Sequence, residues 1–87
     1  MVIERFRGGN PAPVYQRFRE NGRQMPDGLT YVGSWITEDL ALCYQVMECG
    51  DRALLEQWMR NWDDLMDFEV VPVLLSQEVQ ARMAAKR

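Results

Sequence analysis

Glu4 and Arg5 stand side by side inside Val-Ile-Glu-Arg-Phe, a β-prone run at residues 2–6. Adjacent strand residues point to opposite faces, so one of the two charges must enter whatever lies over the sheet. A charge taken out of water needs a partner, and Glu69 or Gln45 is the expected one. In such a setting Glu4 or Arg5 can orient a small polar ligand against the rings of Tyr31, Trp35 and Tyr44, or Glu4 can accept a proton while Arg5 holds an anion and Trp35 stacks on a planar substrate. The same pair also reads as a structural ion pair at a strand end near solvent.

Other chemistries are poorly provided for. The chain has no His, which removes Ser-His-Asp and Cys-His catalysis and the imidazole ligands usual at zinc and haem sites. Cys43 and Cys49 fall within or just after one strand, about 20 Å apart along it, beyond disulfide reach. Cys43, among Leu42, Tyr44 and Val46, reads as a small buried hydrophobe, and Cys49 beside Gly50 as the more exposed and oxidisable thiol. Asp63, Asp64, Asp67 and Glu69 form an acidic run without the ligand spacing or glycine of a calcium loop, so it reads as a solvated helix end. No metal and no cofactor are expected.

These side chains must be positioned by 87 residues, enough for one domain, 1–87, and one core. The composition, 47% hydrophobic and 26% charged, is that of a globular chain. A net charge of -3 argues against a general polyanion-binding field. Within it, the first 23 residues carry 5 basic against 2 acidic groups, an asymmetry able to steer an anion or a partner. The longest uncharged apolar run, Val70 to Leu75, falls far short of the roughly 20 residues that span a bilayer. Charges at positions 4 and 5 do not fit the apolar region of a signal peptide. A cytoplasmic protein that binds neither membrane nor nucleic acid is expected.

Along the chain, Val2 to Phe6 is a first strand closed by Gly8-Gly9. Asn10-Pro11 starts a helix whose narrow face is Val14, Phe18 and Asn21 with Tyr15 beside it, and Gly22 ends it. Leu29 to Thr37 and Ala41 to Glu48 are β-rich and joined tightly at Glu38-Asp39, which makes them an antiparallel pair. Asp51 caps a second helix in which Leu54, Leu55, Trp58, Met59, Trp62, Leu65 and Met66 recur at three- and four-residue steps. Phe68 to Leu75 is a fourth strand, confined to a sheet edge by Pro72, and Ser76 caps a terminal helix through Arg87 that is free to fray. The order β-α-β-β-α-β with a short C-terminal helix is the ferredoxin-like α+β arrangement, a four-stranded antiparallel sheet of order 4-1-3-2 with two helices on one face. RNA-binding domains share this order, but Ala41 to Glu48 lacks the basic-Gly-aromatic pattern of their stacking platform.

Two helices cover one face only, and the other ought to turn polar in a soluble monomer. It does not. A two-residue loop at Glu38-Asp39 gathers Tyr31, Gly33, Trp35, Leu42, Tyr44 and Val46 on one face and Val32, Ser34, Ile36, Cys43, Gln45 and Met47 on the other, the smaller set receiving Trp58 and Trp62; a three-residue loop would re-sort them. A large aromatic face marks an interface or a ligand cavity. A symmetric homodimer with facing sheets, a dimeric α+β barrel, is the expected solution, with the terminal helix folding back over the face through Val79 and Met83 as the other.

Met-Val-Ile-Glu-Arg-Phe, Pro-Val-Tyr-Gln-Arg-Phe-Arg-Glu, Gly-Leu-Thr-Tyr-Val-Gly-Ser-Trp and above all Trp62 to Val73 (Trp-Asp-Asp-Leu-Met-Asp-Phe-Glu-Val-Val-Pro-Val) resemble a short bacterial family described as domain of unknown function 3303. The likeness runs from Met1 to about Val79. It implies a bacterial domain similar to dimeric α+β barrel proteins and brings no catalytic residues with it. Taken together, the expected function is a homodimeric small-molecule-binding or accessory protein without catalysis of its own, its ligand near Glu4, Arg5, Tyr31, Trp35, Tyr44 and Gln45. The alternatives are a cofactor-independent monooxygenase or isomerase and a purely structural dimerisation module.

Overall fold

In a computed structural model describing residues 1–85, four strands form one antiparallel sheet. They are β1 (Val2–Phe6), β2 (Thr30–Ile36), β3 (Leu42–Glu48) and β4 (Met66–Val70), and three helices join them, α1 (Ala12–Asn21), α2 (Arg52–Arg60) and α3 (Ser76–Ala85). The strand order β2-β3-β1-β4 is that of a ferredoxin-like α+β domain, as the sequence predicts. Both expected helix starts are present. The Asn10 Oδ1 accepts from the Ala12 N–H at 3.0 Å, and the Asp51 Oδ1 accepts from the Ala53 N–H at 2.9 Å. Gly22, at φ 68°, takes the left-handed position that ends α1, where its N–H donates to the Phe18 carbonyl.

The core lies between the sheet and α1 and α2. Val2, Phe6, Cys43 and Met66 meet Leu55, Trp58 and Trp62, with Val14 and Phe18 of α1 packed against them. The Trp58 and Phe68 rings meet edge to face at 5.7 Å.

Four expectations need correction. The hairpin loop is four residues long, 38–41, not two: the Thr37 N–H still donates to the Leu42 carbonyl at 2.9 Å, Asp39 bridges Thr37 Oγ1 and the Ala41 N–H, and Leu40 sits at φ 63°. This longer loop shifts the register by two, to Trp35 opposite Tyr44, so the sorting of side chains between faces survives over residues 33–36. A β-bulge at Val32 then inserts one residue, and Tyr31 falls opposite Met47, on the helix side of the sheet instead of with Trp35 and Tyr44. Next, α2 stops at Arg60; Trp62 and Leu65 belong to the turns that follow, and Met66 opens β4. Acidic Asp63 and Asp64 are unfavourable at a helix C-terminus, and the three- and four-residue spacing continues past the helix because the turns face the same core. Finally, β4 ends at Val70, so Pro72 lies beyond the strand and is not what makes it an edge.

α3 is exposed along its whole described length and does not fold back over the open face. The expected continuation to Arg87 lies outside the described residues.

Candidate functional site

The strand alternation decides between Glu4 and Arg5. Glu4 lies between buried Val2 and Phe6 on the helix side and is 4% exposed, whereas Arg5 points out of the open face. Glu4 pairs in register with Cys43 on one side and Phe68 on the other. Burial pushes its carboxyl up from 4.5 to about 7, partly offset by a hydrogen bond with the Cys43 thiol and by the positive charge of Arg23. Burial and the neighbouring Glu4 in turn hold the Cys43 thiol up at about 12, so Cys43 is a buried thiol and no nucleophile. Both cysteines are free, and Cys49 is half-buried against the core rather than exposed.

Glu4 opens into a cavity of about 100 Å³ between the sheet and α1. Its polar floor is Glu4, Ser34, Cys43 and Gln45, and its walls are Phe6, Val14, Phe18, Trp58, Trp62 and Met66, with Tyr15 and Arg23 completing the lining. The Gln45 amide nitrogen donates one hydrogen to the Met47 sulfur at 3.2 Å, and its carbonyl oxygen is an acceptor. The Ser34 hydroxyl is joined to the Tyr31 hydroxyl at 2.6 Å. Tyr15 is held above its usual range by burial first and then by the nearby Cys43 and Glu4.

Arg23 is placed by its backbone. Its carbonyl accepts from both indoles, Trp58 Nε1 at 2.9 Å and Trp62 Nε1 at 3.1 Å, while Asn61 Nδ2 donates to the next carbonyl, that of Gln24. The Arg23 guanidinium then lies 3.7 Å over the Tyr31 ring and 4.8 Å over that of Phe18. The α1 side is fastened to the turn after α2 by Arg17, bidentate to Asp64 at 2.7 Å and donating to the Asn61 carbonyl. Of the acidic run, Asp64 is therefore committed to Arg17 and Asp67 to Arg7 at 3.1 Å. Among the described residues no group of three or more Cys, Asp or Glu side chains is placed to hold a metal ion.

The six residues predicted for a site are thus divided by the sheet. Glu4, Tyr31 and Gln45 are on the helix side, Glu4 and Gln45 in the cavity floor and Tyr31 beside it under Arg23. Arg5, Trp35 and Tyr44 are on the open face, and Glu69 is there too, opposite Ile3. Trp35 is 61% exposed, and its indole leans over Gly33, where an added Cβ would come within 3.4 Å of the ring. Sequence reasoning missed Arg23, Tyr15 and Ser34. A lone Arg after a helix-ending glycine carries no periodicity, and what places it is a backbone carbonyl.

The family described as Domain of unknown function (DUF3303) matches residues 1–87, the whole chain. The chain belongs to this family. No curated protein and no solved structure matches it. The site of this DUF3303 domain is accordingly read from its own geometry: a small, largely apolar cavity with acceptors at one end and a near-neutral carboxyl at its floor.

Proposed function

We propose that this DUF3303 domain is a small-molecule-binding or accessory domain without catalysis of its own. It works as a homodimer, each copy covering the other's open sheet face, in the bacterial cytoplasm, a reducing compartment that its two free thiols suit. The observation that carries the reading is the cavity over Glu4. Space at the base of a core is normally filled by side chains, and polar floors under apolar walls are what bound small molecules use. Its volume, about two-thirds of an apolar cavity that takes up benzene, suits a head of about four to six non-hydrogen atoms. A polar group on that head meets Glu4 and the Gln45 carbonyl, and its apolar part meets Trp58 and Phe18.

The test is chemical-shift mapping of the ¹⁵N-labelled chain with butyramide, butylamine and butyrate as probes. Saturable shifts at the Trp58 and Trp62 indole N–H groups and at Cys43 and Gln45, weakened in Glu4→Gln, are expected for at least one probe. Shifts gathered at Trp35 and Tyr44, or no shifts with any probe, contradict the reading.

One observation favours a second reading, cofactor-independent proton transfer of the monooxygenase or isomerase kind. A carboxyl held near 7 in a cavity is poised as a proton acceptor. Arg23 would then be the cation beside it, since Arg5 and Trp35 lie behind the sheet. Glu4→Gln separates the two readings: it abolishes conversion of a bound molecule under the second and weakens its binding under the first.

A further inference from the structure

Two apolar surfaces of this chain face water, and they sit on different parts of it. One is the open sheet face, where Val32, Trp35 and Tyr44 are exposed. The other is the C-terminal arm, in which Leu75, just before α3, and Val79 and Met83 within it recur at four-residue steps and are all exposed, Met83 by 58%. The arm does not belong to the compact body: the radius of gyration is 15.1 Å and the longest extent 50 Å, against about 12 Å expected for the radius of a compact chain of this length. A ten-residue helix is too short to be stable in water without packing, so α3 needs a surface to lie on.

We infer that α3 of each copy lies across the open sheet face of a second copy, so that the homodimer is built by exchange of C-terminal arms. The inference rests on the homodimer of the proposed function and says which part of the chain makes it. Dimensions agree, since ten helical residues measure about 15 Å and four strands span about 14 Å from first to last. The charges agree as well. Glu78 and Arg82 run along one side of the apolar stripe, and the β1–β4 half of the open face offers both signs, Arg5 beside Asp67 and Glu69. Trp35 and Tyr44, on the β2–β3 half, receive the stripe itself, and Trp35 is the anchor that a contact of this kind centres on. The contact is self-complementary, as a twofold dimer requires.

Sedimentation equilibrium of the full chain tests this with two variants. Val79→Glu/Met83→Glu alters only residues that are exposed in their own copy, so its compact body is expected to stay folded, with circular dichroism losing no more than the helical signal of α3. Trp35→Ser/Tyr44→Ser removes the receiving face. The parent is expected to be a dimer at micromolar concentration, each variant to dimerise at least about 100-fold more weakly, and an equal mixture of the two to form a heterodimer, because each supplies what the other lacks. An arm variant that dimerises as tightly as the parent overturns the arm exchange alone and points to sheets stacked directly. A monomeric parent overturns both the exchange and the homodimer, including the case in which its Trp35 fluorescence responds to the arm substitutions because the arm has closed on its own sheet.

Discussion

The two faces of this sheet are made from alternate residues of the same four strands, and they meet opposite fates. On the helix side, Val2, Glu4 and Phe6 of β1, Cys43 and Gln45 of β3 and Met66 of β4 are all buried, and the polar members are provided for: Glu4 has the Cys43 thiol and the Arg23 charge, and Gln45 has the Met47 sulfur. On the open face, Trp35 and Tyr44 stand exposed on the β2–β3 half, with Arg5, Asp67 and Glu69 on the β1–β4 half. The covered face is finished within one chain and keeps a small cavity at its polar centre. The open face carries two exposed rings, Trp35 and Tyr44, with none of the described residues of its own chain covering them. A carboxyl can acquire an unusual titration only on the first, and an association surface is available only on the second.

This contrast is open to direct attack, and the largest effect belongs to the covered side. Trp58 is 3% exposed, packs on Phe68 and donates to the Arg23 carbonyl, so Trp58→Ala is expected to destabilise the fold by about 3–5 kcal/mol in denaturant unfolding. A loss under 1 kcal/mol would mean that this side is not the core. Glu4 sharpens the contrast through pH. Its carboxyl titrates at 4.5 in an unfolded chain and at about 7 when folded. Below pH 4.5 both states hold the proton and stability is at its full value; between 4.5 and 7 only the folded chain still holds it, so stability falls as pH rises and levels off above 7. The drop amounts to about 3 kcal/mol, and Glu4→Gln is expected to abolish it in unfolding curves recorded from pH 4 to 8.

Tyr31 tests the bulge at Val32. Placed by it on the helix side and bonded to Ser34, Tyr31 is expected to cost about 1 kcal/mol when changed to Phe; on the open face it would cost nothing. The smallest effect is on the open side. In the Val79→Glu/Met83→Glu background, Trp35→Ser is expected to change unfolding stability by less than about 0.5 kcal/mol, although the lost side chain is the same kind as in Trp58.

The difference between the faces was partly legible in the residues. Strand alternation announced that Glu4 and Arg5 would part, and the i, i+4 pair Trp58 and Trp62 announced the core side of α2 together with the following turn. The apolar character of β2 and β3 on both faces announced an uncovered surface. What was hidden depends on single insertions and on backbone atoms. One bulged residue, Val32, moves Tyr31 across the sheet, and local sequence does not declare a bulge. A four-residue hairpin loop preserves the parity that a two-residue loop gives, so the expected faces emerge from a different turn. The end of α2 was obscured because Trp62, Leu65 and Met66 keep a helical spacing while serving a turn and a strand. Arg23 reaches the cavity only because two indoles hold its carbonyl, a tertiary contact over 35 and 39 residues of chain. For that reason a site drawn from six residues was split, with half of it on each side of the sheet.

Native mass spectrometry of the purified chain, run gently and then under denaturing conditions, tests the central claim most directly, that the cavity over Glu4 holds a small molecule within a dimer. The account predicts a dimer carrying extra non-covalent mass that is released on denaturation and diminished in Glu4→Gln. A chain that carries no added mass and stays monomeric at micromolar concentration, with Glu4→Gln indistinguishable from its parent, would contradict it.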